Sequence, residues 1–261
     1  MNLKVCAASF IGARRTNQDN LLLEKLKKPE ILGKSFIQDP IVITSETDET
    51  LLFSVADGMG GSEDGDKTAL CLIEELYKAY DAGEFSRELS SGFWNNINQK
   101  CCDVAQFSGS TLVAACLMQN NDRIIVTFYS LGDSLIYLKR NEETAFKRIN
   151  RLDNEAQRFE DEGIRLTDFS VKRAKATLNE YFGKIYADIN PFIHIYEFEL
   201  QQGDRIILAS DGIEHLSLEE LSEDYQKKQY NHNDALAIAS DASYNAEEYC
   251  DNITVITIEF I

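Results

Sequence analysis

Apolar and polar residues recur along this chain with two different periods. Short runs rich in β-branched and aromatic residues predict strands over Leu51–Ala56, Thr111–Met118, Arg123–Leu131, Ser134–Lys139, Phe192–Leu200, Arg205–Ala209 and Asn252–Phe260. Phe192–Leu200 (FIHIYEFEL) and Asn252–Phe260 (NITVITIEF) alternate in a way that predicts one wet face each. Between the runs, apolar residues three and four apart predict helices over Lys67–Ala82, Ser86–Gln106, Asn154–Glu162, Ser217–Tyr230 and Asn233–Ala246. Strands come in groups rather than alternating with helices, and Gly132-Asp133 reads as a hairpin turn between two of them. The expected class is therefore α+β, with antiparallel sheets covered by helices. Lys27–Glu49, with two of the three prolines, and the polar stretch Asn150–Gly183 read as surface excursions.

The chain has 261 residues, enough at about 150 residues per domain for one large domain or two small ones with a substantial core. No repeat, low-complexity tract or linker-like segment divides it, so residues 1–261 read as one domain. Against 26 Lys and Arg stand 44 Asp and Glu, for a net charge of −18. Such a surface repels phosphate backbones and anionic lipid, which sets aside nucleic-acid and membrane partners. The N-terminal apolar run is too short for a signal peptide and no stretch is long enough to span a bilayer. The six cysteines show no C-x-x-C spacing and several lie in apolar runs. Reduced thiols in a cytoplasmic protein are the expectation.

Candidate chemistry lies in acidic residues at strand ends. Asp57 follows LLFSVA and opens DGMGG, Asp133 follows IIVTFYSLG, Asp211 follows RIILAS, and Asp251 precedes NITVITIEF. Each taken alone fits an ordinary Asp-Gly or loop turn. Together they suit convergence at one edge of a sandwich, where mutual repulsion calls for a cation. Oxygen donors of this kind fit magnesium or manganese, and no His/Cys cluster suggests zinc. Gly58, Gly60 and Gly61 would let the backbone turn tightly and bring a carbonyl near such an ion. Ser108-Gly109-Ser110-Thr111 reads equally well as a plain turn before a strand.

The motifs ARRTNQDN, VADGMGG at 55–61, SGST at 108–111, LGDS at 131–134, ASDG at 209–212 and DNIT at 251–254 occur in the order seen in the type 2C, metal-dependent serine/threonine protein phosphatases. From about Gly12 to the C-terminus the chain resembles that family, with wording closer to its bacterial members. The resemblance implies a four-layer α-β-β-α sandwich of two antiparallel sheets flanked by helices, with a binuclear Mg2+ or Mn2+ centre. On that pattern Asp57 bridges the two ions, the Gly58 carbonyl ligates one, and Asp211 and Asp251 complete the other's shell. Asp133 corresponds to a third ion's site in some bacterial relatives, and Asp19 acts on the metals through water. Arg14, five residues before Asp19, takes the position that binds substrate phosphate, for which a planar guanidinium is suited. Two adjacent ions would lower the pKa of a shared water that attacks phosphorus in line, so no cysteine nucleophile is needed.

The implied activity is hydrolysis of phosphoserine and phosphothreonine in protein substrates of a serine/threonine kinase, by a cytoplasmic monomer. The alternative is a catalytically weak relative that binds a phosphoprotein or signalling partner. A hydrolase of small phosphomonoesters would use the same centre. The acidity also suggests that substrates with basic flanks dock more readily. Departures from the family pattern are Met59 where eukaryotic members carry histidine, Gln18 where many have glutamate, and Glu180 in LNEYFG at an arginine position. His194 and His215 take no assigned role.

Overall fold

The structure is a computed structural model; it describes residues 1–23, 35–45, 49–59, 64–85, 89–104, 107–120, 123–185, 191–224, 232–246 and 250–261. Its strands are β1 (Asn2–Phe10), β2 (Asn20–Leu22), β3 (Phe36–Thr44), β4 (Thr50–Ala56), β5 (Gly58–Met59), β6 (Gly109–Ser110), β7 (Leu112–Asn120), β8 (Arg123–Leu131), β9 (Leu135–Lys139), β10 (Lys147–Arg148), β11 (His194–Leu200), β12 (Arg205–Ala209) and β13 (Ile253–Phe260). The helices are α1 (Gly65–Asp81), α2 (Ser91–Val104), α3 (Glu155–Asp161), α4 (Asp168–Lys175), α5 (Leu218–Asp224) and α6 (Asp234–Asn245). One sheet runs β10-β9-β12-β13-β1-β3, the other β11-β8-β7-β4-β2, and β5 pairs with β6. Every pairing within them is antiparallel.

Burial on both faces explains why the central strands read as near-continuous apolar runs. In β4, Leu51, Phe53 and Val55 enter the core between the sheets, while Leu52 and Ala56 point to the opposite face and pack beneath α1 and α2. In β13, Ile256 and Ile258 face the other sheet, whereas Ile253 and Val255 meet Ala235, Ile238, Ala239 and Ala242 of α6. The layers are thus helix, sheet, sheet, helix, as the motif resemblance implies. α1 buries Ala69, Leu72, Ile73 and Leu76, one stripe of a 3.6-residue period.

Three expectations are corrected. Gly132-Asp133 does not close a hairpin: β8 pairs with β7 and β11, β9 with β10 and β12, so this loop carries the chain from one sheet to the other. Gly132 makes that turn at φ +97°, and a Cβ there would press on the Thr111 side chain at 2.7 Å. The described part of Lys27–Glu49 is no simple excursion, because it holds β3, an edge strand on β1 whose Asp39-Pro40 forms a bulge opposite Cys6. Proline is tolerated there because an edge strand and a bulge spare its missing N–H. β13 has no wet face, since α6 covers it; β11, at an edge, alternates as expected. Residues 27–34, 46–48, 86–88, 105–106 and 225–230 of the expected excursion and helices lie outside the described residues.

Candidate active site

Loops at one end of the sandwich bring the acidic strand-end residues together. Asp57 leaves β4, Asp133 lies in the crossover between the sheets, Asp211 starts the short turn after β12, and Asp251 leads into β13. All four line a cleft of about 480 Å³ together with Arg14, Gln18, the Gly58 backbone, Met59, Thr111 and Tyr181. Asp19 sits beneath it, 1% exposed. Gly60 and Gly61 lie outside the described residues.

The motifs hold one another. The Asp57 N–H donates to Thr111 Oγ1 at 3.1 Å, the Thr111 N–H returns to the Asp57 carbonyl at 2.9 Å, and the Thr111 hydroxyl bonds Ser134 Oγ at 2.6 Å. SGST is therefore a positioning element for Asp57 rather than a plain turn. Ser210 Oγ donates to Asp19 Oδ2 at 2.8 Å, and the Thr254 N–H donates to Ser210 Oγ at 2.9 Å. Asn252 pins the Arg14 loop: its Nδ2 donates to the carbonyls of Ile11 at 2.8 Å and Thr16 at 3.0 Å, while its Oδ1 accepts from the Gln18 N–H at 2.8 Å. Gly58 packs so closely on the first turn of α1 that a Cβ would lie 2.2 Å from the Gly65 carbonyl oxygen. Hydroxyl and amide residues of this kind are common in turns, so only their pairing in space reveals them.

Electrostatics mark the cleft as a site short of positive charge. Burial, followed by the charges of Asp19, Asp211, Asp133 and Asp251, holds the Asp57 carboxyl well above the ordinary range. Asp211 is raised in the same direction by burial and by Asp133, Asp251 and Asp19. Burial pushes Asp19 up to about 6 against hydrogen bonds from Thr254 and Ser210, and burial with Glu214 pushes Asp133 up to about 7. Asp19 Oδ1 is buried without a hydrogen-bond partner. Oxygen donors with mutual repulsion and an orphaned buried oxygen fit a hard divalent cation. Among the described residues no three His, Cys, Asp or Glu side chains are drawn tightly enough together to hold an ion as they stand. Asp251 instead bonds the Arg14 guanidinium, and that bond raises the arginine's pKa.

Arg14, and not Arg15, lines the cleft. Met59 lies on its wall, where no histidine replaces it. His215 lies in an adjoining cavity, and His194 is tied by Nε2 to Asp153 at 2.8 Å. Asp153 in turn accepts from the Gly132 N–H at 3.0 Å, so the polar segment 150–183 props the Asp133 loop. The expected excursion also supplies α4, with Lys172 and Lys175 on the same adjoining cavity, a basic wall on an acidic chain. Glu180 pairs with Lys184 at 2.9 Å.

The protein phosphatase 2C family profile matches residues 31–242. The fold is that of solved bacterial phosphatases. The serine/threonine phosphatase of Streptococcus agalactiae is 19% identical with a TM-score of 0.77, over 99% of this chain and 100% of that one. Mycobacterium tuberculosis PstP/Ppp is 21% identical with a TM-score of 0.69, over 100% and 99%. A PstP catalytic domain solved with two manganese ions is 22% identical with a TM-score of 0.69, over 99% and 98%. Against curated protein sequences the chain finds no significant match. The chain belongs to the protein phosphatase 2C family, a family of protein phosphatases.

Proposed function

We propose that the chain hydrolyses phosphoserine and phosphothreonine in proteins, using two Mg2+ or Mn2+ ions held in the cleft, as one domain over residues 1–261. The observation that carries this reading is the convergence of Asp57, Asp133, Asp211 and Asp251 with Arg14 on one cleft. Asp57 and the Gly58 carbonyl would hold the first ion, Asp57, Asp211 and Asp251 the second, and Asp133 a third. The manganese-loaded PstP domain supports that choice of metal by analogy of fold. When bound, such ions make water nucleophilic at neutral pH and neutralise the phosphoryl group.

The chain's own residues do the rest. Arg14, once released from Asp251, presents paired N–H donors to the phosphate oxygens and stabilises charge as it develops there. Asp19 keeps an unpartnered, buried oxygen behind the cleft, and its charge adds to the repulsion on Asp57 that a bound cation would offset. Thr111 and Asn252 fix the backbones of Asp57 and of the Arg14 loop before substrate arrives. Kinase signalling in the cytoplasm suits such an activity, and no described helix is long and apolar enough to cross a membrane.

The test is hydrolysis of a phosphothreonine peptide and of p-nitrophenyl phosphate with manganese, magnesium or chelator. Metal-dependent turnover of the peptide is the expected result. Turnover of p-nitrophenyl phosphate alone would point to small phosphomonoesters, and no turnover of either by folded protein would contradict the proposal.

A further inference from the structure

His194 takes no part in the hydrolysis proposed above, yet it grips the residue that shapes the crossover loop of the cleft. That residue, Asp153, is 4% exposed, and each of its polar groups is engaged. Its Oδ2 accepts from the Gly132 N–H at 3.0 Å, and its own N–H donates to the Gly132 carbonyl at 2.8 Å. Both peptide planes that flank Gly132 are thereby fixed, and the second of them leads into Asp133. The Asp153 carbonyl accepts from the Asn179 N–H at 2.8 Å, and the next residues continue the seam. Asn154 bridges Leu178, and the Glu155 N–H donates to the Thr177 carbonyl at 2.9 Å. Thr177 and Leu178 belong to the cleft wall. Asp153 therefore joins the Asp133 loop to that wall.

The other carboxylate oxygen, Oδ1, is held by His194 Nε2 at 2.8 Å and by Arg151 Nη1 at 3.2 Å. Arg151 is shared with Asp161, which its Nε and Nη2 reach at 3.0 and 2.7 Å, so His194 makes the shorter bond to Asp153. His194 comes from β11, opposite Ser130 of β8 and two residues before Gly132. The Phe192 ring meets its imidazole edge-on at 5.3 Å. We propose, resting on the hydrolase reading above, that Asp153 and His194 are positioning residues that set Asp133 for turnover: Asp153 holds the loop, and His194 holds Asp153.

A carboxylate suits this place because its polar neighbours are donors. The Gly132 N–H on one side and the Arg151 guanidinium on the other can only donate, and His194 Nε2 donates to an oxygen that can only accept. Asparagine at 153 keeps the shape but offers one oxygen and one NH2, so one of the two sides would set donor against donor. At 194, glutamine can place an amide N–H where Nε2 stands, while phenylalanine keeps a ring and donates nothing.

A double-mutant cycle with Asp133 tests it in the full chain. At limiting manganese, D153N is expected to lower kcat/KM on a phosphothreonine peptide by ~10- to 100-fold, and H194F by up to about 10-fold, with most of that loss rescued in H194Q. In a D133N background, D153N and H194F should each lower it by no more than about 2-fold further, because the residue they act through is gone. A second readout needs no turnover: in the metal-free chain, hydrogen exchange at the Gly132 amide should quicken by ~10-fold or more in D153N and H194F but not in H194Q, with the amides of β4 unchanged. If the parent chain turns over no substrate with any metal, the hydrolase reading fails, and the exchange result alone decides whether Asp153 and His194 hold the loop. If D153N does not fold, H194F and H194Q carry the same comparison. Losses that add in full to that of D133N, H194Q as damaging as H194F, or Gly132 exchange at the parent's rate in the variants would overturn the proposal.

Discussion

The middle of the sandwich and its loop end are built from the same strands on opposite physical terms. In the middle, Phe53, Val113, Phe128 and Ile256 are fully buried members of one apolar cluster between the two sheets. A few residues along the same strands, Ser9, Asp19, Thr111, Asp133, Ser210 and Thr254 are equally hidden but polar. Apolar burial drives the first region together and holds the second in a state that its own charges oppose. The loop end is thus preorganised by a core that takes no part in chemistry. The same division lets the apolar middle hold four mutually repelling carboxylates around one cleft.

Substitutions should separate the two regions, beginning with the largest effect. Asp57→Asn is expected to lower kcat/KM on a phosphopeptide by ~10³-fold or more, the scale on which preorganised charge stabilisation acts. In chelator the same variant should melt a few degrees higher than the parent, because one member of a repelling set is gone; about 2–4 °C corresponds to 1 kcal/mol in a chain of this size. Phe53→Ala should do the reverse, costing about 3–5 kcal/mol in denaturant unfolding while folded protein keeps its kcat. Arg14→Ala removes a charged pair of donors worth ~1.5–3 kcal/mol, so kcat/KM should fall about 10- to 100-fold, with metal binding retained. A variant that lost both would mean that Arg14 is structural.

The smallest effect is graded with pH. Asp19 and Asp133 titrate near 6 and 7 in the folded chain, against about 3.9 for an unfolded aspartate. Between these values the folded state holds more protons than the unfolded one, so stability in chelator falls as pH rises from about 4 to 7. Divalent metal competes with those protons, and its gain in Tm should be larger at pH 8 than at pH 5. Melting curves with and without manganese would show an equal gain at both pH values if the carboxylates were not involved.

Much of this was legible in the sequence, for physical reasons. The strands from β4 to β13 with strong β-branched runs declare themselves, and aspartates at their ends are visible because each breaks an apolar run. β1 escaped because VCAAS carries small residues rather than a clear alternation, and β3 because its proline, Pro40, reads as part of a loop. The β8–β9 crossover looks locally like a hairpin; only the pairing partners distinguish them. At the site, Arg14, Asp57, Asp133, Asp211 and Asp251 could be named in advance, while Thr111, Ser134, Ser210 and Asn252 could be recognised as supports only once their partners were seen. The basic wall made by Lys172 and Lys175 runs against the acidic charge of the whole chain, which composition cannot resolve by place.

The central claim is that the clustered carboxylates exist to hold divalent ions, and calorimetric titration of the metal-free chain with manganese tests it most directly. Two or more ions should bind per chain at pH 7.5, with at least one site lost in Asp57→Asn and protons released on binding. Absence of binding to folded protein, or binding unchanged by Asp57→Asn, would contradict it.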